Sequence, residues 1–114
     1  MTSPSDEYAA AAAEHGECTI RGDPTAGKSA YARMMRALRE LRAEPDRGES
    51  ALSKLLDHPD ESVQVWAATH LLPLSEKPAC LVLERVASGP TNLIQFGAKM
   101  VLKEWAAGRL RSLL

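Results

Sequence analysis

Gly22-Asp23-Pro24-Thr25-Ala26-Gly27-Lys28-Ser29 fits G-x-x-x-x-G-K-[ST], the spacing of a phosphate-binding loop. In such a loop, free backbone N–H groups cradle phosphate oxygens, the lysine reaches the outer phosphates, and the hydroxyl ligates Mg²⁺. That chemistry needs a buried strand leading in and a helix leading out. The preceding residues, from Glu14 to Ile20, carry two acids and a histidine, and only Cys18 to Ile20 have strand-like character. No later apolar strand ends in a carboxylate able to hold the metal, and nothing else could build the parallel sheet that such a loop crowns. Gly22, Gly27, Lys28 and Ser29 therefore read as an accidental match. Gly22 and Asp23 end one helix, and Pro24 or Thr25 opens the next. No nucleotide or other cofactor is expected.

The remaining reactive side chains are dispersed. His15, His58 and His70 fall on three different elements without metal-ligand spacing, so no metal site is expected. Ser29, Ser50, Ser53, Ser62 and Ser88 lack G-x-S-x-G surroundings, no nucleophile–base pair can be named, and the chain reads as non-enzymatic. Asp57-His58 and Asp60-Glu61 read as a solvated turn in which Asp60 or Ser62 caps the following helix. His70 is expected on the apolar side of its helix, as a satisfied core or groove residue. Arg21, Lys28, Arg33, Arg36, Arg39 and Arg42 could line a phosphate-binding face, but Glu40 and Glu44 interleave with them, and the net charge is −1. Glu40, four residues after Arg36, fits ordinary surface pairing along a helix. Trp66 is assigned to the core. Trp105 is expected half-buried against the fifth helix, and it is a candidate binding anchor because tryptophan is favoured at interface hot spots.

These residues must be positioned by helices. The 114 residues suit one domain with a modest core. Aromatics make up only 4%, and alanine and leucine dominate, which favours close-packed helices over sheet. No segment alternates with period two. A first helix is expected from Asp6, after a frayed terminus over residues 1–5. A second carries Tyr31, Met34, Met35, Leu38 and Leu41 as one apolar stripe and ends before Pro45. A third runs over about Glu49 to Leu56. A fourth follows the turn at Asp57 to Ser62, with Val63, Trp66, Ala67, His70 and Leu71 on one face. A fifth spans roughly Glu76 to Ala87, with Ala79, Leu83 and Val86 inward. A sixth runs from Asn92 or Leu93 to Ala107, closed by Gly108, with Arg109 and Arg111 at the negative end of its dipole. Short connections make neighbouring helices antiparallel. Cys18 and Cys80 read as reduced thiols of a cytoplasmic protein. The alanine run at 9–13 is too short and too acidic at its start for a secretory signal, and no apolar stretch is long enough to span a membrane.

The stretch ALSKLLDHPDESVQVWAATHLL has the form of a HEAT-type repeat: a leucine-rich helix, an Asp-Pro-bearing turn, then V-x-x-x-A-A-x-x-L. Small Ala67 and Ala68 let two helices approach closely, and each helix pair buries its apolar face by stacking on a neighbour. GDPTAGKSAYARMMRALRELRA, LLDHPDESVQVWAATHLLPL and FGAKMVLKEWAAGRL together resemble an uncharacterised bacterial family, known as a domain of unknown function with HEAT-like helices. The resemblance extends over about residues 7 to 110. It implies a small, free-standing, all-helical protein, and it offers no catalytic residues to carry over. Some relatives stand beside polymorphic toxins as immunity proteins, so the resemblance also implies toxin neutralisation.

The resulting expectation is a single all-α domain over residues 1–114, with five or six helices in a short right-handed HEAT-like stack that binds a protein partner, a cognate toxin foremost. The acids Asp57, Asp60, Glu61 and Glu76 are expected along one edge, where they could mimic a phosphate backbone for a basic nuclease toxin, with Trp105 as a further contact. The competing class is a nucleic-acid-binding or repair module that uses the arginine face. The third is a nucleotide-binding enzyme built on the opening motif.

Overall fold

Ser3 starts the first helix. Its Oγ accepts a hydrogen bond from Asp6 N at 3.1 Å, and Pro4 brings a φ already suited to the first turn. The helix therefore begins inside the stretch expected to be frayed, because the cap lies ahead of the acids that drew attention to Asp6. The computed structural model describes residues 2–90 and 92–110. Among them are six helices: α1 Pro4–Arg21, α2 Pro24–Arg42, α3 Glu49–Leu55, α4 Glu61–Leu71, α5 Glu76–Ala87 and α6 Leu93–Ala106. No strand occurs among the described residues, and none of the helices is long and apolar enough to cross a membrane.

The chain folds as three helical hairpins, α1–α2, α3–α4 and α5–α6, around α1 and α4. α1 packs on α2, α3, α4 and α6, and α4 packs on α1, α3, α5 and α6. The first and third hairpins thus touch each other, and the hairpins close on one another. The core between them holds Tyr8, Met34, Leu38, Leu52, Val63, Leu71, Leu72 and Leu83, with Ala67 and Ala68 fully buried at the helix contacts.

α1 and α2 pack along most of their lengths because both present small side chains. α1 contributes Ala11, Ala12 and Cys18, and α2 contributes Gly27, Ala30 and Ala37 beside Met34, Leu38 and Leu41. Tyr31, expected in the buried stripe, is instead exposed; the buried face of α2 centres on Gly27, Ala30, Met34, Ala37 and Leu41, and Tyr31 lies at its margin. The contact of α1 with α4 is tighter still: a Cβ at Gly16 would overlap Ser62 Oγ and Cβ. At the far end Gly108 adopts the left-handed conformation that closes α6, and Arg109 folds back on the Glu104 carboxylate. Arg111 lies outside the described residues.

Candidate functional site

The last helix carries more apolar surface than one buried stripe requires. Its inner side sets Ala98 and Gln95 into the protein. The Gln95 amide donates to the carbonyls of Ala87 and Gly89, tying α6 to the end of α5. Ile94, Val101, Leu102 and Trp105 pack half-buried against the core. On the outer side, Leu93 is 53%, Phe96 60% and Met100 36% exposed. At i, i+3 and i+7 they form one ridge along the helix. A single exposed apolar residue is ordinary, but a contiguous group marks an interaction surface.

Beside this ridge, α1, α4 and α6 enclose a groove of about 190 Å³, walled by Gly16, Val65, Trp66, Ile94, Gly97 and Val101. Its two threonines do not make it polar. Thr19 Oγ1 donates to His15 O at 3.0 Å and Thr69 Oγ1 to Val65 O at 2.7 Å, so each hydroxyl is spent on its own helix backbone. A second, wider cleft of about 430 Å³ lies between the end of α1 and the start of α2, lined among others by Cys18, Asp23, Lys28 and Tyr31. His15 and Thr19 border both hollows.

Trp66 stands at this junction, half-buried and packed on the core's edge. Expected inside, it instead lines the groove that α1, α4 and α6 enclose. His70 stacks on it with ring centroids 5.5 Å apart and planes 22° from parallel, and His15 meets it edge-on at 5.3 Å. Tyr31 covers the outer side at 5.7 Å. Behind Trp66, Tyr8 Oη lies 2.6 Å from His70 Nδ1 in a fully buried pair. Burial, and secondarily the nearby Arg42 guanidinium, holds the His70 pKa down to about 3. Burial also raises the Tyr8 phenol well above its ordinary value. Both groups are neutral at physiological pH, and the pair fixes the imidazole against which the indole rests. Burial likewise lowers the pKa of His15.

The acids expected along one edge are divided between the two ends of α4. Asp57 and Glu61 are exposed at the α3–α4 turn. Asp60 beside them caps α4, with Oδ1 accepting from Ser62 N at 2.8 Å and Val63 N at 3.3 Å. Glu76 opens α5, beyond the other end of α4, a helix of eleven residues and so about 16 Å long at 1.5 Å per residue. There Glu76 Oε2 accepts from Trp105 Nε1 at 2.6 Å, so two expected partner contacts bind each other and join α5 to α6. Trp105 is half-buried, as expected.

Amides of the GDPTAGKS stretch are engaged within the chain. Asp23 N donates to Cys18 O at 2.9 Å, Ala26 N to the Asp23 carboxylate at 3.1 Å, and Gly27 N to Asp23 O at 3.0 Å. Gly22 takes the left-handed conformation that ends α1, while Gly27, Lys28 and Ser29 lie within α2. Of the basic stripe, Arg33 pairs with Glu14 and Arg21 with Asp23, and Arg42 is half-buried near His70. Arg36 and Arg39 remain exposed. Both cysteines are free thiols. No group of three or more potential metal ligands gathers among the described residues.

Leu93, Phe96 and Met100 escaped the sequence reading. A signal was present: LIQFGAKMVLKEW places apolar residues around more than half of the helix circumference, which one contact with a core cannot cover. A family model described as a domain of unknown function (DUF2019) matches residues 8–105. No curated protein and no solved structure matches the chain.

Proposed function

The chain belongs to the DUF2019 family, a domain of unknown function, and from that premise we propose that it is a non-enzymatic binding module that holds a protein partner on α6 and the groove beside it. The observation that carries this reading is the exposed ridge of Leu93, Phe96 and Met100, continuous with a groove walled by Trp66. Aromatic anchors surrounded by apolar surface are what hot spots are made of. In the same reading the three hairpins form a short HEAT-like stack, folded tightly enough for the first and third to meet. The specific partner we propose is a cognate bacterial toxin, neutralised by this protein as an immunity protein in the cytoplasm of the producing cell. That part draws on the family resemblance. The division of the acids between two ends argues against a single acidic edge as the contact and favours α6.

Phe96→Asp tests the proposal. Phe96 is exposed, so the variant should keep its far-UV circular dichroism and melting temperature, while capture of the partner from the source cell, or protection against a co-expressed toxin, should be lost. Asp57→Lys with Glu61→Lys should leave both unchanged. Loss with the acid reversals and retention with Phe96→Asp would move the site to the α3–α4 turn. A second reading, nucleic-acid binding, is favoured by the exposure of Arg36 and Arg39. It requires a salt-dependent mobility shift that Arg36→Glu and Arg39→Glu abolish.

A further inference from the structure

We infer that the partner presents to α6 an amphipathic helix whose apolar stripe is bordered by acidic side chains; this rests on the α6 docking reading above. Three features of the surface meet in it. The first is shape. Leu93, Phe96 and Met100 make a straight ridge of about two helical turns, and the neighbouring groove of about 190 Å³ has room for one large apolar side chain. The second is backbone access. Nothing lies within 4 Å of the place where a Cβ would stand at Gly97, so a bare main chain separates ridge from groove and a second helix can approach it closely. The third is charge. Lys99 and Lys103, four residues apart, run along the border of the ridge away from α1 and α4. Both are exposed, and neither forms an ion pair among the described residues.

These features select among occupants. A peptide that docks by strand addition needs a sheet edge, which the described residues lack. A second copy of α6 would bring two more lysines to the same border; its one acid, Glu104, is already held by Arg109. An anionic bilayer would satisfy the lysines but would make no use of the groove or of Gly97.

The test uses the full chain carrying Trp105→Phe, which leaves Trp66 as the sole tryptophan and as a reporter in the groove wall. It is titrated with a synthetic amphipathic helical peptide bearing a Leu/Phe stripe bordered by glutamates, with the same peptide bordered by lysines, and with phosphatidylglycerol–phosphatidylcholine vesicles. The acidic peptide should shift Trp66 emission saturably and bind about tenfold tighter than the basic one at low salt, with the gap closing at high salt. Lys99→Glu with Lys103→Glu should invert the preference, and Phe96→Ala should weaken both peptides. Equal binding of the two peptides, unaltered by the lysine reversals, would overturn the acidic-helix inference while leaving α6 as the docking face. Binding of neither peptide, preference for vesicles, or dimerisation that Phe96→Ala dissolves would overturn it as well. Retention of the cellular partner by Phe96→Asp would instead sink the docking reading itself.

Discussion

At the scale of single residues, the buried Tyr8–His70 pair gives the protein a calculable sensitivity to acid. An unfolded histidine titrates near pH 6.5, whereas His70 in the fold titrates near 3. Between these values the unfolded chain binds a proton that the folded chain refuses. Stability therefore falls as pH drops from 6.5 toward 3, by up to about 1.4 kcal/mol per pH unit. The lowered pKa of His15 acts in the same direction. Urea unfolding between about pH 6.5 and 5.5, above most carboxylate titration, should show the slope. Tyr8→Phe should cost about 1–3 kcal/mol, because it leaves a buried imidazole nitrogen without its partner. Tyr8→Phe combined with His70→Leu should cost less than the sum of the single changes and should flatten the acid slope. A double cycle with no coupling would mean that the pair is not what holds the imidazole. Lys28→Ala, by contrast, should leave the melting temperature unchanged, with or without ATP and Mg²⁺. A bound nucleotide at 100 times its Kd would raise stability by about 2.7 kcal/mol.

At the scale of elements, two glycines give the same substitution opposite signs. Gly16→Ala drives a methyl into Ser62 and should destabilise by about 1–3 kcal/mol as an overpacked helix contact. Gly97→Ala meets open space and should stabilise by about 0.5–1 kcal/mol through helix propensity. The same methyl should weaken partner binding by holding a docked helix away from α6. Paired melting curves and binding titrations read both. The sequence made the helices legible, since Pro24, Pro45, Pro73, Gly89 and the Asp60 cap punctuate it clearly. It made the site poorly legible. Period 3.6 says which residues can share a face, but not which of two apolar faces a neighbour covers. For α2 that ambiguity misplaced Tyr31, and for α6 it hid Leu93, Phe96 and Met100. Trp66 is misplaced for a related reason: the groove it lines is shared with α1 and α6, far from it in the chain. The acidic residues were read by type, while the direction of each helix decides how far apart they stand.

At the scale of the whole molecule, α4 is the element on which every hairpin depends. It buries seven of its eleven residues and touches α1, α3, α5 and α6. Ala67→Leu, at a fully buried contact, should cost about 1–3 kcal/mol and lower the melting temperature by several degrees; an unchanged melting temperature would contradict the packed hairpin. α6 is the opposite case. It sets only Gln95 and Ala98 fully inside, and its remaining inward residues are half-covered. Local openings draw on the least buried elements. Backbone amides of residues 93–106 should therefore exchange with deuterium through a detachment of α6 that leaves the other five helices closed, while those of 61–71 wait for global unfolding. On the proposed docking, a partner seated on Phe96 would slow that exchange, and the last helix would report occupancy: an empty molecule would breathe there, and a filled one would not.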